Sequence, residues 1–154
     1  MSGIFQRREI MSVPTWERTL SKTQYLFETY RLNVRIGQIV MNKPTKYRPT
    51  YGDKLINMGL DAMRYGQAAN LIYMDKKTSE DDYSLRRKYL QAMLANIDGL
   101  STIADIFLAL NYNTDGGSRE TLEKNQQYIG SQTKFIHDLV KGVMDSDTKL
   151  FRSE

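Results

Sequence analysis

The sequence predicts an all-α protein: an antiparallel, up-down-up-down bundle of four helices preceded by a basic N-terminal arm. Three observations predict it. Proline occurs only at Pro14, Pro44 and Pro49, so residues 50 to 145 lack the strongest helix breaker. Apolar residues recur at intervals of three, four and seven in four separate stretches, the spacing of a helical face. Short polar or proline- and glycine-containing runs separate those stretches, and no strand-period alternation competes with them. Rods of this kind bury their stripes only against one another, which is the packing of a bundle.

Residues 1–14 hold no sustained period and mix Arg7, Arg8 and Glu9 with isolated apolar residues, so they read as an arm ending near Pro14. The domain proper is expected over 15–145. Helix one runs from about Thr15 to Met41, with Leu20, Phe27, Tyr30, Val34, Gly37 and Met41 as its buried stripe. Pro44 and Pro49 each bias their predecessor away from helix, which makes the stretch from Asn42 to Pro49 a connection. Thr50 is placed to cap helix two, with Asp53 supplying a carboxylate near the positive helix end. Leu55, Met58 or Gly59, Ala62, Met63, Gly66, Ala69 and Ile72 or Tyr73 carry that helix to about Tyr73, and the small size of its glycines and alanines points to a close helix crossing.

Ser79 followed by Glu80, Asp81 and Asp82 is a strong start signal for helix three. Tyr83, Arg87, Leu90, Met93 or Leu94, Ile97, Leu100 or Ser101, Ala104 and Phe107 or Leu108 continue its stripe over roughly 30 residues, about 45 Å at 1.5 Å per residue. The run from Asn113 to Ser118 contains Gly116-Gly117 and reads as a turn. Leu122, Ile129, Thr133, Ile136, Val140 and Val143 then mark helix four, and residues 146–154 read as a frayed C-terminal tail.

Composition excludes several classes of chemistry. The 154 residues contain no cysteine and one histidine, His137, which removes disulfides, thiolate metal sites, cysteine nucleophiles and multi-histidine centres. Gly116-Gly117 is followed by no Lys-Ser or Lys-Thr pair, so it is no phosphate loop. Ser131 lies nearly opposite His137 on one helix and cannot form a serine triad with it. Asp98 and Asp105 share a face of helix three, but no Glu-x-x-His pair accompanies them, and pairing with Arg or Lys of a neighbouring helix is the expected role. No enzyme, cofactor or metal is expected. No apolar stretch resembles a secretion signal, and Lys, Arg, Asp and Glu interrupt the chain too evenly for a membrane span, so a cytoplasmic protein is expected.

Charge is distributed unevenly. The formal net charge is +4, yet residues 1–60 carry 10 basic and 4 acidic side chains, leaving the remainder net negative. A basic N-terminal half points to an anionic partner. Several of the 10 tyrosines adjoin cations, as in Lys46-Tyr47-Arg48, Tyr30-Arg31 and Arg64-Tyr65. Cations hold phosphates while aromatic faces stack on bases, a mixture suited to single-stranded nucleic acid. The same tyrosines, with eight methionines, equally suit contacts between protein chains.

The run from Asn42 to Leu55, with Pro44, Lys46, Arg48 and Gly52 introducing a small-residue helix, resembles a known family of four-helix bundles. That family includes the accessory variability determinant of diversity-generating retroelements and the proteins encoded by intervening sequences of 23S ribosomal RNA genes. The stretch from Tyr128 to Lys141, with its Ile129-Gly130 pair, resembles the family's closing helix, and the likeness covers about residues 20–144. The resemblance implies a homopentamer with a positive surface. It would bind the element's reverse transcriptase and template RNA, support mutagenic cDNA synthesis and make no bonds itself. The extra arm departs from the pattern, and so does the modest net charge.

The candidate RNA-contacting residues are Arg31, Arg35, Lys43, Lys46, Arg48, Lys54 and Arg64. Among them Lys43, Lys46 and Arg48 stand out because one connection collects all three. The alternatives are a structural oligomerisation module that binds protein partners without nucleic acid, a bundle protein of the ribosomal-intervening-sequence type, and, more remotely, a bundle that holds a small ligand or metal.

Overall fold

The computed structural model describes residues 15–43 and 45–152, with the side chains of residues 15–22, Thr45 and Asp115 left aside. The expected arm 1–14 lies outside the described residues. Four long α-helices are present: α1 (Thr15–Met41), α2 (Asp53–Asn70), α3 (Glu80–Asp115) and α4 (Arg119–Arg152). There is no strand among the described residues. Each helix packs on its two sequence neighbours and α4 returns to α1, so α1 and α3 stand at diagonal corners of a square. Contacts climb one helix as they descend the next: Tyr25 with Gly66 and Asn33 with Gly59 between α1 and α2, Arg86 with Asp147 and Asp98 with His137 between α3 and α4.

Three of the four expected stripes form the core. Leu55, Ala62 and Ala69 of α2, Leu90, Met93, Ile97, Leu100, Ala104 and Phe107 of α3, and Ile129, Ile136 and Val140 of α4 are buried. The α1 stripe is different. Tyr30, Val34 and Met41 are exposed, and α1 buries Tyr25, Leu32, Ile36, Ile39 and Val40 instead. The helix carries two apolar faces, and the one with the more regular spacing points outward.

Glycines at seven-residue intervals set how closely α2 approaches its neighbours. A Cβ on Gly66 would lie 2.8 Å from both the Leu26 side chain of α1 and the Met93 sulfur of α3, and a Cβ on Gly59 would collide with the Asn33 side chain. Gly52 meets Val40 and Phe107 at 3.0 and 3.4 Å in the same way. A side chain at Gly59 or Gly66 would require its neighbours to shift, and one at Gly52 would press on them more mildly, so close packing accounts for the cost in helix propensity that these glycines carry.

The helix boundaries differ from expectation at two places. The α1–α2 connection is itself helical: a 3₁₀ turn at Thr45–Tyr47 leads into a π-type turn at Arg48–Gly52, which runs directly into α2. Thr50 lies inside that turn, and no side chain caps the start of α2. At the other terminus, α4 continues through Arg152, so the expected tail 146–154 is helical as far as it is described. Elsewhere the start signals act as expected. The Ser79 hydroxyl accepts from Asp82 N at 3.1 Å at the head of α3, and Gly116 adopts φ 81° at its end.

One helix among the described residues, α3, is long and apolar enough by length and composition to cross a membrane, contrary to the expectation of even interruption by charge. Its apolar side is occupied in this fold by α2 and α4, and Asp98 and Asp105 interrupt it on the outside.

Candidate nucleic-acid interface

The candidate cations separate into three groups. Arg35 and Lys43 come together where the C-terminal half of α1 passes the start of α4. They share a recess of about 400 Å³ with Gln38, Ile39, Asn42, Thr121 and Asn125. Arg35 is fixed there: its Nη2 donates to Asn125 Oδ1 at 3.2 Å, and its guanidinium lies 5.0 Å from the centre of the Tyr128 ring. Burial pushes the Tyr128 hydroxyl above its usual pKa, while Arg31 and Arg35 act in the opposite sense. Tyr128 therefore stays a neutral surface beside the cations. Lys46 is exposed at the following corner, its Nζ 5.5 Å from the Tyr47 ring centre. Among the described residues Lys43 and Lys46 form no ion pair with a carboxylate.

Arg48 forms the second group alone. Its Nη2 donates to the backbone carbonyls of Val40 and Lys43, both at 3.4 Å. The Val40 carbonyl lies in the last turn of α1 and also accepts from Lys43 N at 3.2 Å, while the Lys43 carbonyl lies just beyond the helix. The expectation that Arg48 presents its charge outward with Lys43 and Lys46 is therefore corrected: the guanidinium is turned inward onto the helix end. Its Nε and Asn111 Oδ1 are the two buried polar side-chain atoms without a hydrogen-bond partner among the described residues.

Arg31, Lys54 and Arg64 make up the third group and lie on the outer surfaces of α1 and α2. Arg31 pairs with Glu28 at 3.6 Å and Arg64 with Asp61 at 3.0 Å, both one helical turn apart. Glu28 is itself buried and accepts from Gln132 Nε2 at 2.8 Å, which ties α1 to α4 beside the recess.

The carboxylates of α3 find different company from that expected. Asp98 meets His137 of α4 at 3.2 Å rather than an Arg or Lys. No group of three or more potential metal-ligating side chains stands together among the described residues.

The most enclosed ionic contact is at the opposite end of the bundle and was not anticipated. Arg86 Nε and Nη2 donate to the two oxygens of Asp147 at 2.6 and 3.3 Å, and Nη1 donates to the carbonyls of Ala69 and Ile72 at 2.9 and 3.0 Å. Both side chains are about nine-tenths buried. Phe151 stacks flat on Tyr83 at 4.3 Å. Those two contacts order the segment expected to fray. The sequence signal was a carboxylate at helical spacing beyond Val140 and Met144, on the same face.

No protein family, curated protein or solved structure matches this chain.

Proposed function

We propose that this protein is a non-enzymatic RNA-binding accessory factor of a diversity-generating retroelement. In this reading it is an antiparallel, up-down-up-down bundle with a basic arm at residues 1–14, and it works as a homo-oligomer, a pentamer by resemblance, in the cytoplasm. It holds template RNA, or the RNA–cDNA product, for the reverse transcriptase. The opposed order of contacts along neighbouring helices supports the antiparallel path.

One observation carries the binding surface: Arg35, Lys43 and Lys46 lie at one end of the bundle without facing carboxylates, around a recess lined by amide side chains. Amides and cations together suit a phosphodiester, which accepts hydrogen bonds and carries charge. The neighbouring Tyr47 offers an aromatic face at the same corner. Arg48 supports the corner from inside.

Salt dependence tests the reading. Three phosphates neutralised on a single strand give a slope of about −2 in log affinity against log salt, hence about a twentyfold loss between 50 and 200 mM. Filter binding of a single-stranded RNA across that range should show this loss, and Lys43→Glu with Lys46→Glu should abolish retention while leaving the helical circular dichroism unchanged. A flat salt response, or retention by the double variant, overturns it.

A further inference from the structure

The side chains expected in the core along α1 stand outside it. Tyr30, Val34 and Met41 are 56%, 44% and 64% exposed. With Phe27 and Gly37 they follow the alternating three- and four-residue spacing of a heptad seam, the pattern by which one helix packs along another. A Cβ on Gly37 would meet nothing within 4 Å, which leaves space there for close approach by a second chain. Asn33 Nδ2 donates to Gly59 O at 3.0 Å, so the outer sides of α1 and α2 adjoin at this level, and Leu60, 54% exposed, extends the apolar surface onto α2. Arg31 and Arg64 edge this face. Arg64 pairs with Asp61 and lies 5.5 Å from the Tyr65 ring centre, and Arg31 reaches the buried Glu28 and lies 5.9 Å from the Phe27 ring centre, yet both side chains stay more than half exposed and open to a second chain.

On the far side of the bundle α3 and α4 leave an open groove of about 800 Å³, lined by Asp105, Ile106, Ala109, Glu123, Gln126 and Gln127. Ile106, 39% exposed, and Ala109 give it apolar surface, and Asp105 and Glu123 give it carboxylates, of which Glu123 pairs with Arg119 at 3.2 Å in an exposed contact one turn away. Because α1 and α3 occupy diagonal corners, the face and the groove point away from each other and cannot meet within one copy. Their properties match: an apolar ridge edged by cations, and an apolar groove edged by anions.

We propose that the α1–α2 face of one copy seats in the α3–α4 groove of a second copy. The inference rests on the oligomeric reading above and names the surfaces that would build it. Two different surfaces make a heterologous contact, which repeats from copy to copy and ends only when the ring closes. Arg31 and Arg64 then serve assembly, and RNA contact falls to Arg35, Lys43 and Lys46.

The test uses the full chain without RNA, so its outcome is independent of RNA binding. Light scattering coupled to gel filtration should give the wild type a mass above twice 17.9 kDa. Val34→Glu on the face and Ile106→Glu on the groove should each give a single-chain mass with unchanged circular dichroism. Mixed one to one, they should form a dimer and nothing larger, since one keeps an intact groove and the other an intact face. Should either variant lose its fold, Leu60→Gln and Ala109→Gln replace them. A monomeric wild type, a wild-type mass that stops at two chains, an Ile106→Glu protein that assembles normally, or a mixture that stays monomeric overturns the proposal.

Discussion

Each end of the bundle holds an arginine turned inward onto the last carbonyls of a helix, and the two differ in what else they meet. Arg86 caps the end of α2 and also grips Asp147 through two hydrogen bonds, so its own charge is neutralised where it is buried. Arg48 caps the end of α1 with no carboxylate beside it, and its Nε remains unpaired. One end spends its positive charge on holding three helices together. The other keeps Arg48 for structure and leaves Lys43 and Lys46 without a carboxylate partner. The Arg86 end has cations of its own in Arg87, Lys149 and Arg152, but there they share a recess with Asp145.

The comparison makes its largest prediction at the Arg86 end. Asp147→Ala leaves the Arg86 charge buried and uncompensated, at a cost of about 3–5 kcal/mol. Urea denaturation measures it, and the double variant Arg86→Met, Asp147→Leu should recover most of the loss. At the other end Arg48→Ala should cost only about 1 kcal/mol, since it removes two long hydrogen bonds and the Val40 carbonyl keeps its bond from Lys43 N, without reducing RNA retention at temperatures where the variant is folded. An equal loss of RNA retention from Arg48→Ala and Lys46→Ala would erase the division of roles drawn here.

Smaller effects sharpen the contrast. Asn111→Leu removes an acceptor that has no partner together with the bond its Nδ2 donates to Phe107 O at 2.8 Å, so the two effects offset and stability should change by less than about 1 kcal/mol in the same denaturation experiment. The smallest effect is on alkaline stability. Burial raises the Tyr25 pKa above the usual 10.0, with Arg86 opposing and Asp147 adding to the rise. The folded state therefore holds this proton more tightly than the unfolded chain. The stabilisation is complete below pH 10 and is lost as pH climbs from there towards the folded-state value. Tyr25→Phe should flatten the fall in melting temperature above pH 10.

The number of helices, the start of α3 and the cores of α2, α3 and α4 were legible because in each the apolar period and the end signals agree. In α1 they did not discriminate. Phe27, Tyr30, Val34, Gly37 and Met41 form a cleaner heptad than Tyr25, Leu32, Ile36 and Ile39, and periodicity alone does not say which of two faces turns inward. Arg48 was misjudged because sequence gives charge and neighbourhood but not the direction of a long side chain. The terminal segment was misjudged because the residues after Asp145 are mostly polar, and the partner that buries Asp147 lies 61 positions earlier in the chain.

The corner between α1 and α2 has a mechanical consequence. From Thr45 to Gly52 the backbone stays coiled, and Tyr47 and Thr114 are joined hydroxyl to hydroxyl at 2.9 Å, fastening the corner to the end of α3. Tyr47 thus ties this elbow to α3 while Arg48 ties it to α1, so a push on the corner is shared among three rods where a free loop would absorb it alone.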